Sequence, residues 1–326
     1  MPNSKGMKQR RGGMSQQRAR RPLVPTQVGT TRYSRLRTSG GAGVVVEIVP
    51  RAHPDPVPLV FLPGWGQTAH TYALPLRTFA ERGRYVVSMF RPARGRPVVG
   101  QTDFPPEEVR KAQGVVGVLA RLRQERVDLV AHSEGALAAV IATALYPQRV
   151  RNLVLVDPAG LIIGDRWYRL AGRFGQMIVQ CTLEAATNAD ERRALLWAIL
   201  NPTAYALTHP LRAVAQIAAL ARWHCLDLLA ELRGSEVGVV VITGVDNRVF
   251  PLDRAGPLVR DGATIVDGFH AVRGGHAKLL GDARYAEAVL NAIDRLNVRR
   301  DRRATKAAND EDLIQSSRDE PLDLVI

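Results

Sequence analysis

The sequence predicts an α/β fold: a mostly parallel sheet flanked by helices, with a helical cap inserted into it. Three observations predict this. Short β-branched runs alternate with longer amphipathic stretches from about residue 44 to residue 298. That rhythm stops between residues 157 and 238, where helical spacing continues almost without a β-branched run. Finally, the apolar run 127–131 turns at Ser133 directly into the Ala-rich, helix-forming stretch 137–146.

Taken in order, the β-branched runs are 44–49, 58–62, 85–90, 127–131, 152–156, 237–243 and 263–266. Residues 69–84 and 106–125 have helical spacing, and 284–296 closes the domain. Within the inserted stretch, helices are expected over 171–185, 189–200, 210–222 and 226–232. Trp167, Tyr168, Phe174, Trp197, Tyr205 and Trp223 concentrate there. Aromatics at helical spacing are more often packing than ligand contacts. A cap over the carboxyl ends of parallel strands would nonetheless enclose the place where open α/β sheets bind ligands.

Residues 1–30 are polar, basic and rich in Gly and Gln, and read as a disordered arm. Residues 299–326 are charged and aperiodic and read as a disordered tail. The core then divides into 31–160 and 237–298, around a cap at 161–236. No internal repeat is apparent.

Composition is globular, with 46% apolar and 23% charged residues. No apolar run approaches the ~20 residues a membrane span needs. The first 22 residues carry seven basic and no acidic side chains, but no apolar segment follows them, so they are not read as an export signal. Cys181 and Cys225 are the only cysteines. Two thiols without metal-ligand spacing suit a reducing cytoplasm and argue against a disulfide framework or a zinc site.

The net charge of +14 raises the question of an anionic partner. Half of it sits on the arm, and only five of the 45 basic residues are lysines. Such an Arg bias can arise from nucleotide composition alone, and no base-stacking pattern accompanies it. A solvated basic surface is the simplest reading. Contact of the arm with nucleic acid or an anionic membrane is the alternative.

Small residues flank Ser133, with Ala131 and Gly135 two positions to either side, as a tight strand-to-helix turn requires. A hydroxyl placed there stands at a helix N-terminus, where free N–H groups favour developing negative charge. By itself the pattern also suits a simple helix cap. A nucleophilic serine needs a base and a carboxylate to orient it, in this topology in the order Ser, acid, His. Asp246 follows Ser133 by 113 residues, just beyond the apolar run 239–243, and His276 follows by another 30 after a Gly-rich loop.

With these residues in place, the chain resembles the α/β-hydrolase superfamily, specifically its capped esterase and peroxidase-like members, over roughly 42–298. The motifs that carry the likeness are Leu62-Pro63-Gly64-Trp65-Gly66, residues 91–95, the Ser133 turn, residues 154–160, Gly244-Val245-Asp246 and Gly275-His276. The resemblance implies Ser133 as nucleophile, His276 as general base and then acid, and Asp246 as the group orienting the imidazole. It implies an oxyanion hole from the backbone N–H groups of Trp65 and Glu134. Asp157 and His270 are the rival acid and base, Asp157 being more simply a turn residue. His132 is expected to be a packed, hydrogen-bonded histidine.

Ala131 stands where the family usually has Gly, and Arg91 where an aspartate is frequent. Pro63 stands where His-Gly is common, which removes a side-chain hydrogen bond that braces the oxyanion loop. The expected function is hydrolysis of a carboxylic ester with an apolar acyl or alcohol part, through an acyl-enzyme. No cofactor or metal is expected, because no phosphate loop, zinc-protease helix or dinucleotide fingerprint is present. Thioesterase, lactonase, C–C hydrolase and cofactor-free peroxidase chemistry use the same triad, and a non-hydrolytic ligand-binding protein could keep the fold.

Overall fold

The structure is a computed structural model that describes residues 25–26, 29–38, 41–50, 55–68, 71–90, 104–187, 192–255 and 265–319. Its strands are β1 (Pro25–Thr26), β2 (Gly29–Thr38), β3 (Gly41–Pro50), β4 (Asp55–Leu62), β5 (Arg84–Phe90), β6 (Val127–His132), β7 (Val150–Val156), β8 (Gly238–Gly244) and β9 (Gly268–Val272). They form one sheet in the order β1-β2-β3-β5-β4-β6-β7-β8-β9. From β5 onward every neighbouring pair is parallel, and β1, β2 and β3 complete one edge antiparallel.

β6 is buried along its whole length, and β7 along all but one residue. That explains their near-continuous Val/Leu runs: a parallel strand covered on both faces needs no polar alternation. The crossover helices are α1 (Ala73–Glu81), α2 (Pro106–Leu122) and α3 (Gly135–Leu145). α2 starts with Pro106, which lacks only an N–H that would be orphaned anyway, and has Glu107 and Glu108 in its first turn against the positive helix end. α3 is Ala-rich and buried from Gly135 to Thr143, so it passes through the core beneath the sheet's centre.

The stretch between β7 and β8 is helical: α4 (Trp167–Thr187), α5 (Arg192–Thr208), α6 (Pro210–Arg222) and α7 (Leu226–Leu232). The insertion is clamped to the loop after β4. Gln67 donates to the Ala198 carbonyl over 3.1 Å, and Asn201 donates to the Thr71 hydroxyl over 2.7 Å. Gly66 has φ +66°, and a Cβ there would lie 2.9 Å from Cα of Pro202, so only glycine permits α5 to seat this closely.

Three expectations change. β2 was not anticipated; its polar, Arg-rich edge sequence lacks apolar alternation, and pairing to β3 is what makes it a strand. The last strand is β9 rather than 263–266: residues 265–267 are bends, and Asp267 accepts a hydrogen bond from the Val239 amide before pairing with β8 begins. Residues 263–264 lie outside the described residues. The closing helix, α10 (Ala283–Asp319), follows the short α8 (Leu252–Ala255) and α9 (Lys278–Gly281) and runs past residue 298. It contains no Gly or Pro to stop it. Most of the arm and the motif at 91–95 lie outside the described residues. Among the described residues, no single helix is long and apolar enough to cross a membrane.

Candidate active site

The turn after β6 puts Ser133 in the left-handed region, with φ +55°. Such a conformation costs on the order of 1–3 kcal/mol for a residue with a side chain. It is held by three backbone bonds: Ser133 donates to Val156 over 2.9 Å and accepts from Ala159 and Ala136, each over 3.1 Å. A Cβ on Gly135 would fall 2.5 Å from the Pro63 carbonyl oxygen, so glycine is required for the helix to begin there. Ser133 does not cap α3. The cap position is Glu134, without a side-chain capping bond, and Oγ of Ser133 lies 2.9 Å from Nε2 of His276.

His276 follows β9 through Gly274, whose φ of +131° turns the chain back toward the elbow. Its ring is 6% exposed and sits edge-on to Phe250 and Phe174, with ring centroids 5.4 and 6.5 Å away. Burial, and then the neighbouring His132, hold its pKa well below the ordinary histidine value. The imidazole is therefore neutral and able to take a proton. Its Nδ1 is buried without a hydrogen-bond partner.

A carboxylate oxygen of Asp157 lies within 4.8 Å of a nitrogen of this ring. Asp246 is exposed, and no hydrogen bond joins it to His276. Asn247, the next residue, turns inward instead and is 3% exposed. Asp157 directly follows β7, with φ +45°, and is fully buried. Its Oδ1 accepts from the Gly244 amide (2.8 Å), Asn247 Nδ2 (2.8 Å) and the Thr243 hydroxyl (3.2 Å), while Oδ2 is unpartnered. Side-chain atoms of His132, Asp157 and His276 lie within 4.8 Å of one another. The structure thus does not bring Asp246 to His276: at the end of β8 Asp246 faces solvent and the amide of the next residue, Asn247, faces inward. Burial drives the Asp157 pKa up to about 7 against the three hydrogen bonds.

His132 is packed and hydrogen-bonded, as expected. Gly64 donates its N–H to the Tyr72 hydroxyl over 2.9 Å, and that hydroxyl lies 2.6 Å from Nδ1 of His132. Nε2 of His132 is 3.0 Å from the His276 carbonyl oxygen. One consistent assignment satisfies all three: Tyr72 donates to Nδ1, and His132 donates from Nε2. Burial pushes His132 down to about 4, so it stays neutral. The brace that Pro63 cannot give the loop comes from Tyr72, which the sequence did not single out.

The N–H groups of Trp65 and Glu134 find no acceptor among the described residues. Gly64 brings this loop against the elbow, since a Cβ there would lie 3.0 Å from Cβ of Ser133. The Glu134 side chain turns away and pairs with Lys111, which also holds Glu108 at 3.1 Å. Ser133, His132 and His276 open onto a cavity of about 290 Å³ lined by Phe174, Met177, Ile178, Ala198, Pro202 and Leu280. Its walls are almost wholly apolar. His270 stays within β9 opposite Ile242, and is not brought to Ser133. The His132, Asp157 and His276 group suits a metal poorly, because both ring nitrogens of His132 are already hydrogen-bonded.

The model of the alpha/beta hydrolase family matches residues 59–291. No curated protein matches the chain. Among solved structures, the bromoperoxidase from Bacillus anthracis superposes with a TM-score of 0.58 at 15% identity, over 80% of this chain and 99% of that one. A serine hydrolase involved in carbazole degradation gives 0.58 at 17% identity, over 81% and 99%. A thermophilic esterase from Thermogutta terrifontis gives 0.55 at 14% identity, again over 81% and 99%. At these identities the likeness is one of fold.

Proposed function

We propose that this chain, which belongs to the alpha/beta hydrolase family, is a serine hydrolase that cleaves a carboxylic ester with an apolar acyl part. The observation that carries the reading is the 2.9 Å approach of Ser133 Oγ to His276 Nε2, at a strained elbow opening into an apolar cavity. Ser133 attacks the ester carbonyl while His276 takes its proton. Asp157, rather than Asp246, orients the ring through Nδ1 and stabilises the imidazolium. The two buried atoms left unpartnered, Nδ1 of His276 and Oδ2 of Asp157, support that role, and such contacts commonly tighten only when substrate binds.

The tetrahedral oxyanion is received by the N–H groups of Trp65 and Glu134. Pairing Glu134 with Lys111 keeps its charge from opposing that oxyanion. Collapse of the intermediate breaks the acyl C–O bond, His276 protonates the departing alcohol, and water then releases the acyl group from Ser133 by the same steps. The cavity is about twice the ~150 Å³ that holds a benzene ring, so it fits roughly ten carbons. The helical insertion thus acts as a cap that sets acyl length.

A fluorophosphonate probe tests the nucleophile: wild type labels and Ser133→Ala does not. A series of p-nitrophenyl esters tests the pocket, with an optimum at medium chain length abolished by His276→Ala. Absence of labelling in the wild type, or equal labelling of Ser133→Ala, would overturn the reading.

A further inference from the structure

Beyond Trp65 lies a second cavity of about 450 Å³, walled by Glu107, Lys111, Glu134, Tyr205, Arg212 and Gln216. It shares Gly64, Trp65 and Gln67 with the apolar cavity at Ser133. The Trp65 indole is the partition, 6.1 Å from the Phe174 ring on one side and edge-on to Tyr205 at 5.5 Å on the other. Gln216, 7% exposed, fixes it by accepting from Trp65 Nε1 at 2.7 Å and from the Tyr205 hydroxyl at 3.0 Å.

The two cavities differ in chemistry. The charges walling the second are matched among themselves: Lys111 pairs with Glu134, and Arg212 with Glu107 at 2.6 Å. Burial alone would raise the Glu107 carboxyl, but the bond from Arg212 and the charges of Arg110, Arg212 and Lys111 hold it below its ordinary value. An ionised ligand entering here would lose its hydration and meet no unpaired counter-charge. A neutral ligand with several hydroxyls meets donors and acceptors of both senses. At the junction of the cavities, Oε1 of Gln67 is a buried acceptor without a partner, its Nε2 being engaged by Ala198. A buried acceptor of this kind calls for a donor.

We infer that the second chamber receives a neutral, hydroxyl-rich alcohol part of the ester, a polyol, while the chamber at Ser133 receives the apolar acyl chain. The inference rests on Ser133 being the nucleophile. The polyol leaves when the acyl C–O bond breaks, taking its proton from His276.

The test compares the full chain on octanoyl esters of ethanol, glycerol and glucose. The expected kcat/KM is at least tenfold higher for one or both polyol esters than for the ethyl ester, the two polyols distinguishing a glycerol site from a sugar site. Replacing the ion pair as a unit, Glu107→Leu with Arg212→Leu, should bring that ratio to near one in protein whose Tm shows it folded. Turnover of the ethyl ester with no polyol preference overturns the inference and leaves the hydrolase reading intact. Failure of all esters together with absent fluorophosphonate labelling defeats that reading instead. Binding of the uncleavable 1-O-octylglycerol, followed by tryptophan fluorescence, is then decisive: equal affinity for octyl ethyl ether overturns the second chamber's role, and tenfold tighter binding supports it.

Discussion

Asn247 donates from Nδ2 to Oδ1 of Asp157 over 2.8 Å, joining the turn after β8 to the end of β7 beneath the surface. The turn after β8 thus supplies an amide, and the end of β7 supplies the carboxylate. Oδ1 is saturated by three donors, which leaves Oδ2 without a hydrogen-bond partner.

Exchanging each aspartate for asparagine separates the two assignments. Asp157→Asn is expected to lower kcat on p-nitrophenyl butyrate at pH 8 by roughly 10³–10⁴, as loss of the orienting carboxylate does in trypsin-like triads. Asp246→Asn should stay within about twofold, its side chain being exposed. The reverse pattern would restore Asp246 to the triad.

The same residue makes stability depend on pH. Burial raises the Asp157 carboxyl from 3.8 to about 7, so between these values the folded chain keeps a proton that the unfolded chain has released. Its contribution is full below pH 3.8 and is lost as pH rises to about 7. Asp157→Asn carries no such burden. Its Tm relative to wild type should therefore climb by about 5 °C between pH 4.5 and 8. His276, lowered by burial, tilts the curve the other way in both proteins. A flat difference would mean that Asp157 keeps an ordinary pKa.

Tyr72→Phe removes the acceptor for the Gly64 N–H and the donor to His132. A buried N–H left unpaired costs about 1–3 kcal/mol. Part of that should appear as a roughly tenfold loss in kcat with little change in KM, because the oxyanion loop is loosened while the apolar cavity is kept. A change confined to KM would show that Tyr72 serves binding instead.

Lys111→Met strands two buried carboxylates, Glu134 and Glu108, 2% and 3% exposed, without their cation. Breaking a buried pair from one side costs about 3–5 kcal/mol. The double variant with Glu134→Gln should recover part of that loss in urea denaturation, Glu108 remaining without its cation. Additive losses would show the pair to be uncoupled.

Much of this was legible in the chain because it depends on local rules. The Val/Leu runs of β6 and β7, the Ala-rich α3 and the small residues around Ser133 each state their own conformation, and their order narrows the fold. The placing of α6 and α7 at Pro210 and Leu226 followed from helical spacing in the same way. Ser133 and His276 were legible as a pair because each adjoins a glycine its turn requires, Gly135 for its close approach to the Pro63 carbonyl and Gly274 for its φ of +131°.

The carboxylate proposed to orient His276 lies beyond such local rules. Asp157 and Asn247 are 90 residues apart, and neither has a local pattern that reveals the other. Which of two adjacent side chains faces inward depends on where the turn after β8 closes, which tertiary packing sets. β2 likewise became a strand only by pairing with β3, and Tyr72 became the brace of the oxyanion loop only because α1 brings it beneath Gly64 and His132. The sequence by itself determined the layers of the fold and singled out Ser133 and His276 as the proposed nucleophile and base. Only the tertiary structure decided which carboxylate is buried near that histidine, because burial and hydrogen-bond satisfaction are properties of the assembled sheet.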